Sequence, residues 1–177
     1  MSLSPAQANF FGPFHLVTCS TLLGTQLFQS FINTKICYAL PRSAFTTLQK
    51  RLFPIYFKVQ SVLVLTTIIT YPLGPRGLLS SPKDLVPLIL AGITACANFF
   101  VFGPQTLTTM VCCVHQETTD KKNGIPVGEV SEDMRAFRRA FSRNHAMSIH
   151  LNLLTIGSTL WYGVRLGMHL NFVDQSS

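Results

Sequence analysis

Four stretches of this chain contain no Asp, Glu, Lys or Arg: residues 1–34, 59–75, 85–116 and 144–164. They run 34, 17, 32 and 21 residues and together make up more than half of the 177-residue chain. A helix crossing the roughly 30 Å apolar core of a bilayer needs about 20 mostly apolar residues. A water-soluble fold instead needs charges spread along every element to cover its surface. Here 12% of the residues are charged, about half the roughly 25% of an ordinary soluble domain. The pattern predicts an all-α integral membrane protein, an antiparallel four-helix bundle forming a single membrane domain over residues 1–177. The expected spans cover about 10–33, 52–71, 85–103 and 144–164. The 14 Phe residues and the apolar content argue against disorder.

Local signals place the ends of these helices. Leu40-Pro41-Arg42 reads as a helix start, because proline is tolerated in a first turn. From there a helix is expected to run to Thr70, kinked where Pro54 lacks an N–H. Tyr71-Pro72-Leu73-Gly74-Pro75-Arg76-Gly77 reads as a turn, since two Pro and two Gly interrupt a helix. Ser81-Pro82-Lys83-Asp84 has a Ser cap, Pro in the first turn and an early acid, the pattern of a helix N-terminus. Pro104 is expected to bend the third span, with helix continuing over 106–115. Ser131-Glu132-Asp133 caps a basic amphipathic helix over about 131–143, with Met134, Phe137 and Phe141 on its apolar side. That helix is expected to lead directly into the fourth span.

The sign of the charges orients the spans. The first and third connections hold four and six Lys or Arg, against three in the second connection and the C-terminal tail. By the excess of Lys and Arg on cytoplasmic loops, residues 35–51 and 117–143 are expected in the cytosol. Both termini are then luminal or extracellular. The net charge of +7 thus reads as a topology signal, and nucleic acid is not an expected partner. The expected partners are the lipid bilayer and a protein on the cytosolic side. Arg135, Arg138, Arg139 and Arg143 are the candidate lipid- or partner-binding residues.

Uncharged polar residues inside spans are costly in lipid and point to where function lies. At 100° per residue, His15, Cys19, Gln26, Ser30 and Asn33 share one side of the first span, with Gly24 opposite. His145, Ser148, Asn152, Thr155 and Thr159 share one side of the fourth, and Asn98 adds an amide in the third. These stripes are expected to face one another. One reading makes them interhelical glue through hydrogen bonds and small-residue contact. The sharper reading makes His15, Cys19, Gln26, Asn98, His145 and Asn152 a polar core or ligand-binding site. His15 is also the candidate haem or metal ligand. A single bis-histidine centre is excluded by depth. With about 1.5 Å of rise per residue, His15 and His150 stand about 16 Å apart along the bilayer normal.

The five cysteines contain no CxxC and no luminal pair for a disulfide. Catalytic motifs of the P-loop, GxSxG and HExxH types are absent from the sequence, and no carboxylate pair lies in a span.

Four sets of residues carry a family resemblance. They are His15-Leu16, Ser20, Gly24, Gln26 and Phe31; Leu40-Pro41-Arg42, Phe45, Gln49, Leu52-Phe53-Pro54 and Tyr56-Phe57; Asn98, Pro104, Thr106 and Met110; and Phe141, Arg143, His145, Ser148 and Asn152-Leu153. In order and spacing the chain resembles the transmembrane protein 205-like family, four-span membrane proteins with a domain of unknown function. The third connection is shorter here than in the animal members. The resemblance implies a multi-pass α-helical membrane protein and no reaction. His15 and Gly24 alone carry a more distant similarity to the copper resistance D and membrane protoporphyrinogen oxidase families. In the latter, a first-span histidine is associated with haem.

Two functional readings follow. The first is a non-enzymatic membrane protein that binds a lipid or protein partner through its basic cytosolic extensions. The alternative is a haem- or metal-binding redox or transport protein that uses His15.

Overall fold

A computed structural model describes residues 5–126 and 129–169, and every regular element among them is helical. Helix α1 (Pro5–Leu27) runs into a π-helical segment (Phe28–Asn33) and then α2 (Thr34–Cys37). α3 (Arg42–Ile69) follows, then the short α4 (Gly74–Leu79) and α5 (Pro82–Ala97). A second π segment (Asn98–Phe102) joins α5 to α6 (Gly103–Lys122), and α7 (Glu132–His169) completes the chain. Residues 1–4 and 170–177, on which the expectation for the termini falls, lie outside the described residues.

The predicted starts and stops meet their physical reasons. Pro41 stands just outside α3 with an extended backbone, and Pro54 is carried inside the helix. The basic amphipathic segment and the fourth apolar stretch form one helix of 38 residues, about 57 Å long at 1.5 Å per residue. Its start is capped as expected: the Met134 N–H donates to Ser131 Oγ at 3.1 Å.

Three local expectations are corrected. The turn predicted through Gly77 ends at Gly74, whose φ of +67° is one that glycine adopts at no steric cost. Pro75 then occupies the first turn of α4, where its missing N–H costs nothing. Ser81 precedes α5 but makes no side-chain cap to the backbone; its hydroxyl donates instead to Asp84 Oδ2 at 2.8 Å. Where a bend is expected at Pro104, the irregularity is a π segment just before it. The Gly103 N–H reaches back five residues to the Asn98 carbonyl, widening the turn directly before the proline that cannot donate.

α1 packs on α3, α3 on α5, α5 on α7, and α7 back on α1, while α6 packs along α7. Among the described residues, two helical stretches are long and apolar enough to cross a membrane: Ser43–Ile69 and Pro82–Lys122. The distribution of side chains is inverted relative to a soluble protein. Gln26, Gln60, Asn98 and Thr155 are fully buried, whereas Val17, Ile93 and Trp161 are each 63% exposed. The two predicted polar stripes point inward: His15, Cys19, Ser148, Thr155 and Thr159 are buried, and Gly24 faces outward.

Beyond the apolar stretches, α6 and α7 form a clasped hairpin. Asp120 Oδ2 accepts from the Ser131 hydroxyl (3.0 Å) and Oδ1 from Gln116 Nε2 (2.9 Å). Arg135, Arg138, Arg139 and Arg143 are exposed on α7, with Met134 buried and Phe137 and Phe141 half-buried.

Candidate functional site

At the α4 end of the molecule, the buried polar groups are tied to one another. His15 Nε2 lies 2.6 Å from the Tyr162 hydroxyl and Nδ1 lies 3.1 Å from Thr70 Oγ1. The rings of Tyr71 and Tyr162 stand edge-on to the imidazole. Asp84 is buried beside them; its carboxylate accepts from Tyr71 (3.0 Å), Ser81 (2.8 Å) and Arg165 Nε (3.1 Å). Cys19 packs here against Tyr71, Leu78, Leu88 and Tyr162. Both His15 ring nitrogens are engaged, so the imidazole as folded presents neither to a metal or haem iron. Among the described residues no group of three His, Cys, Asp or Glu is placed to hold a metal.

The centre is a hydrogen-bonded seam between helices. Asn152 Oδ1 accepts from Tyr56 (2.8 Å) and Gln60 (3.0 Å), and its Nδ2 donates to Ser30 Oγ at 2.9 Å. One Asn thus ties α7 to α3 and to the first π segment. Asn98 Nδ2 donates to the Ser148 carbonyl (3.0 Å), and Thr94 and Thr155 meet at 2.8 Å. Gln26 is fully buried, and neither its amide nitrogen nor its oxygen finds a partner in the protein.

At the opposite end the helices part around a cavity of about 710 Å³, within the roughly 300–1,000 Å³ typical of small-molecule sites. Both π segments contribute to its wall, through Gln29, Ser30 and Phe31 in one and Phe99 in the other. Such segments recur at functional sites because they widen a helix locally and re-aim its side chains. α3 presents Phe45, Gln49, Phe53 and Phe57 at a strict spacing of four, and α7 presents Phe141, His145, Ile149 and Leu153 at the same spacing. Residues four apart share one helix face, so each set is a single ridge. Gly103 completes the wall where α6 meets α3. A Cβ there would lie 2.6 Å from the Asn98 carbonyl oxygen and 3.0 Å from the Phe57 ring.

The lining carries eight Phe and Tyr rings and no Asp, Glu, Lys or Arg. Four polar atoms in it have no partner in the protein: Gln29 Nε2, both amide atoms of Gln49, and Thr106 Oγ1. Gln49 is only 2% exposed, and a buried amide without a hydrogen bond costs about 1–3 kcal/mol. The mouth is apolar, with Phe31, Tyr38, Ile149 and Leu153 exposed.

The predicted site residues therefore separate. His15 and Cys19 belong to the tied end, Gln26 and Asn98 to the interior, and His145 and Asn152 to the cavity wall. His145 is half-buried, its ring stacked on Phe141. The four arginines lie outside the cavity. Sequence reasoning missed Gln49, Gln29, Gln60 and Thr106 as site residues. The available signal was the Phe45-Gln49-Phe53-Phe57 ridge, which begins in a stretch read as a basic connection.

Residues 17–113 match a domain of unknown function, DUF4149. Three of the four sides of the cavity fall within that stretch; the α7 ridge lies beyond it. Xanthocillin biosynthesis cluster protein D of Aspergillus fumigatus is 41% identical over 162 residues, covering 89% of this chain and 90% of that protein. No solved structure matches the chain. The domain match covers more than half of the chain, and the chain belongs to the DUF4149 family.

Proposed function

We propose that this is a multi-pass membrane protein, an antiparallel four-helix bundle whose wide end holds a small bilayer-soluble molecule. The observation that carries this reading is the cavity: about 710 Å³, aromatic-walled, and faced by buried amide groups that the protein leaves unpaired. Membrane residence is supported by the inverted surface, polar within and apolar without. The spans are residues 10–33, 52–71, 85–103 and 144–164, which places the cavity at the ends flanked by the two basic connections. Those connections, 35–51 and 117–143, are cytosolic in this reading, and both termini face the lumen or exterior.

The transmembrane protein 205-like resemblance fits the same site. Phe45, Gln49, Phe53, Thr106, Phe141 and His145, which help to carry it, are all wall residues. The relative from a xanthocillin biosynthesis cluster gives a context in which such a protein holds or passes on an intermediate or product. The exposed arginines of α7 sit where each contributes about 1 kcal/mol of attraction to an anionic leaflet. They anchor the extension; the cavity selects the cargo.

Native mass spectrometry of protein purified from its membrane tests this reading. A small-molecule adduct should accompany wild type and be lost in Leu107→Trp, which fills the cavity. Adducts equally abundant in both proteins would place the ligand elsewhere. Glycosylation tags at the two termini and in the 117–143 connection test the orientation; modified termini are expected, and a modified site in 117–143 would reverse it.

A further inference from the structure

The chemistry of the wall restricts the occupant, and this inference rests on the cavity reading above. We infer that the ligand is a neutral, multi-ring aromatic molecule bearing a hydroxyl or amide group, recognised by Gln49 and Thr106. Three observations converge on that class.

The first is charge. A wall without Asp, Glu, Lys or Arg offers no opposite charge to offset the desolvation of an ion, which costs several kcal/mol even after relaxation. An anionic ligand is therefore rejected, and so is a phospholipid headgroup. The second is the surface. Aromatic walls favour offset and edge-on contact with another ring, worth about 0.5–1.5 kcal/mol beyond the area buried. A dry cavity of about 150 Å³ takes one benzene, so about 710 Å³ has room for a molecule of several rings.

The third is polarity. Gln49 offers both a donor and an acceptor without a partner in the protein, and Thr106 a hydroxyl that can do either. A pure hydrocarbon would leave these groups unpaired. A phenolic or amide group satisfies a donor and an acceptor together. Because both Gln49 amide atoms are unpaired, the side chain offers a free donor and a free acceptor whichever way the amide is turned. Sites built to pair a hydroxyl reject the analogue that lacks it far more strongly than they discriminate by size.

Equilibrium dialysis against the full-length protein in nanodiscs, with empty nanodiscs as blank, tests this with three probes of one shape: 2-naphthol, naphthalene and 2-naphthoate. Wild type should hold 2-naphthol at least tenfold more tightly than Gln49→Leu or Thr106→Val does. Naphthalene should bind all three proteins alike, and 2-naphthoate should not exceed the blank. Circular dichroism establishes that each variant is folded, and naphthalene binding shows that its cavity persists. If 2-naphthol binds wild type and both variants equally, or if 2-naphthoate binds as tightly, the recognition proposed here is wrong while the cavity reading stands. If wild type retains none of the probes above Leu107→Trp and the blank, the cavity reading itself fails.

Discussion

The two ends of this molecule bury polar side chains in opposite ways. Around His15, each described polar group has a partner: imidazole to Tyr162 and Thr70, Asp84 to Tyr71, Ser81 and Arg165. Around Gln49, amide and hydroxyl groups equally removed from solvent have none within the protein. A satisfied network fixes one packing, and breaking it is expensive. An unsatisfied set is a standing cost that a ligand relieves. In the function proposed above, one end serves rigidity and the other occupancy; a seam through Asn152 that bonds to α3 and the first π segment joins them.

The sharpest way to break this contrast is at Asp84. Asp84→Ala removes the acceptor shared by Tyr71, Ser81 and Arg165, and loss of one partner of a buried pair costs about 3 kcal/mol or more. Steric-trap unfolding in bicelles should register it, and a loss below about 1 kcal/mol would show that this end is not the anchor. Next is Gly103→Val, in which the added carbons meet the Asn98 carbonyl and Phe57. Overpacking of this kind costs about 2 kcal/mol, and the same unfolding assay should show it together with weakened 2-naphthol retention. If stability is unchanged, the π segment shifts more freely than the contact distances imply.

Tyr162→Phe leaves His15 Nε2 without its partner and should cost about 1–2 kcal/mol, with no effect on probe binding at the far end. Gln49→Leu is the informative opposite. It deletes a buried polar group that already lacks partners, so stability should stay level or rise by up to about 1 kcal/mol while 2-naphthol binding falls. Equal destabilisation by Tyr162→Phe and Gln49→Leu would erase the distinction between the two ends.

The smallest effect is one of pH, in the α6–α7 hairpin beyond the apolar stretches. Burial raises the Asp120 carboxyl, but hydrogen bonds from Gln116 and Ser131, with the charge of Arg138, hold it below its ordinary 3.8. A carboxyl depressed in the folded state adds stability above its unfolded value, and that stability is lost as pH falls through the folded value. The protection of the Ser131 and Met134 amides, measured against their intrinsic exchange, should therefore fall below about pH 4 and show no such fall in Asp120→Asn.

Particular residues show what could be read in advance. His15, Cys19, Ser148, Thr155 and Thr159 were placed inward by a 100° period, and they are buried, because a long helix fixes the angle between its own side chains. Pro41, Ser131 and the uninterrupted α7 followed from local rules for the same reason. Tyr162 as the partner of His15 did not, since the two are 147 positions apart. Gln49 was passed over because the Lys and Arg around it marked its stretch as a connection outside the apolar span, although α3 carries it into the cavity wall.

The charge-free runs determined by themselves that the chain is helical and that its long apolar stretches require a partner other than water. Periodicity determined which sides of the first and last helices turn inward. The tertiary structure decided how those sides meet. Two π segments, one beside Pro104 and one with no proline to announce it, come to line the same cavity. Whether a buried amide is satisfied depends on what another helix places against it, and a single helix contains no information about that. That pairing closes one end around His15 and leaves the other open around Gln49.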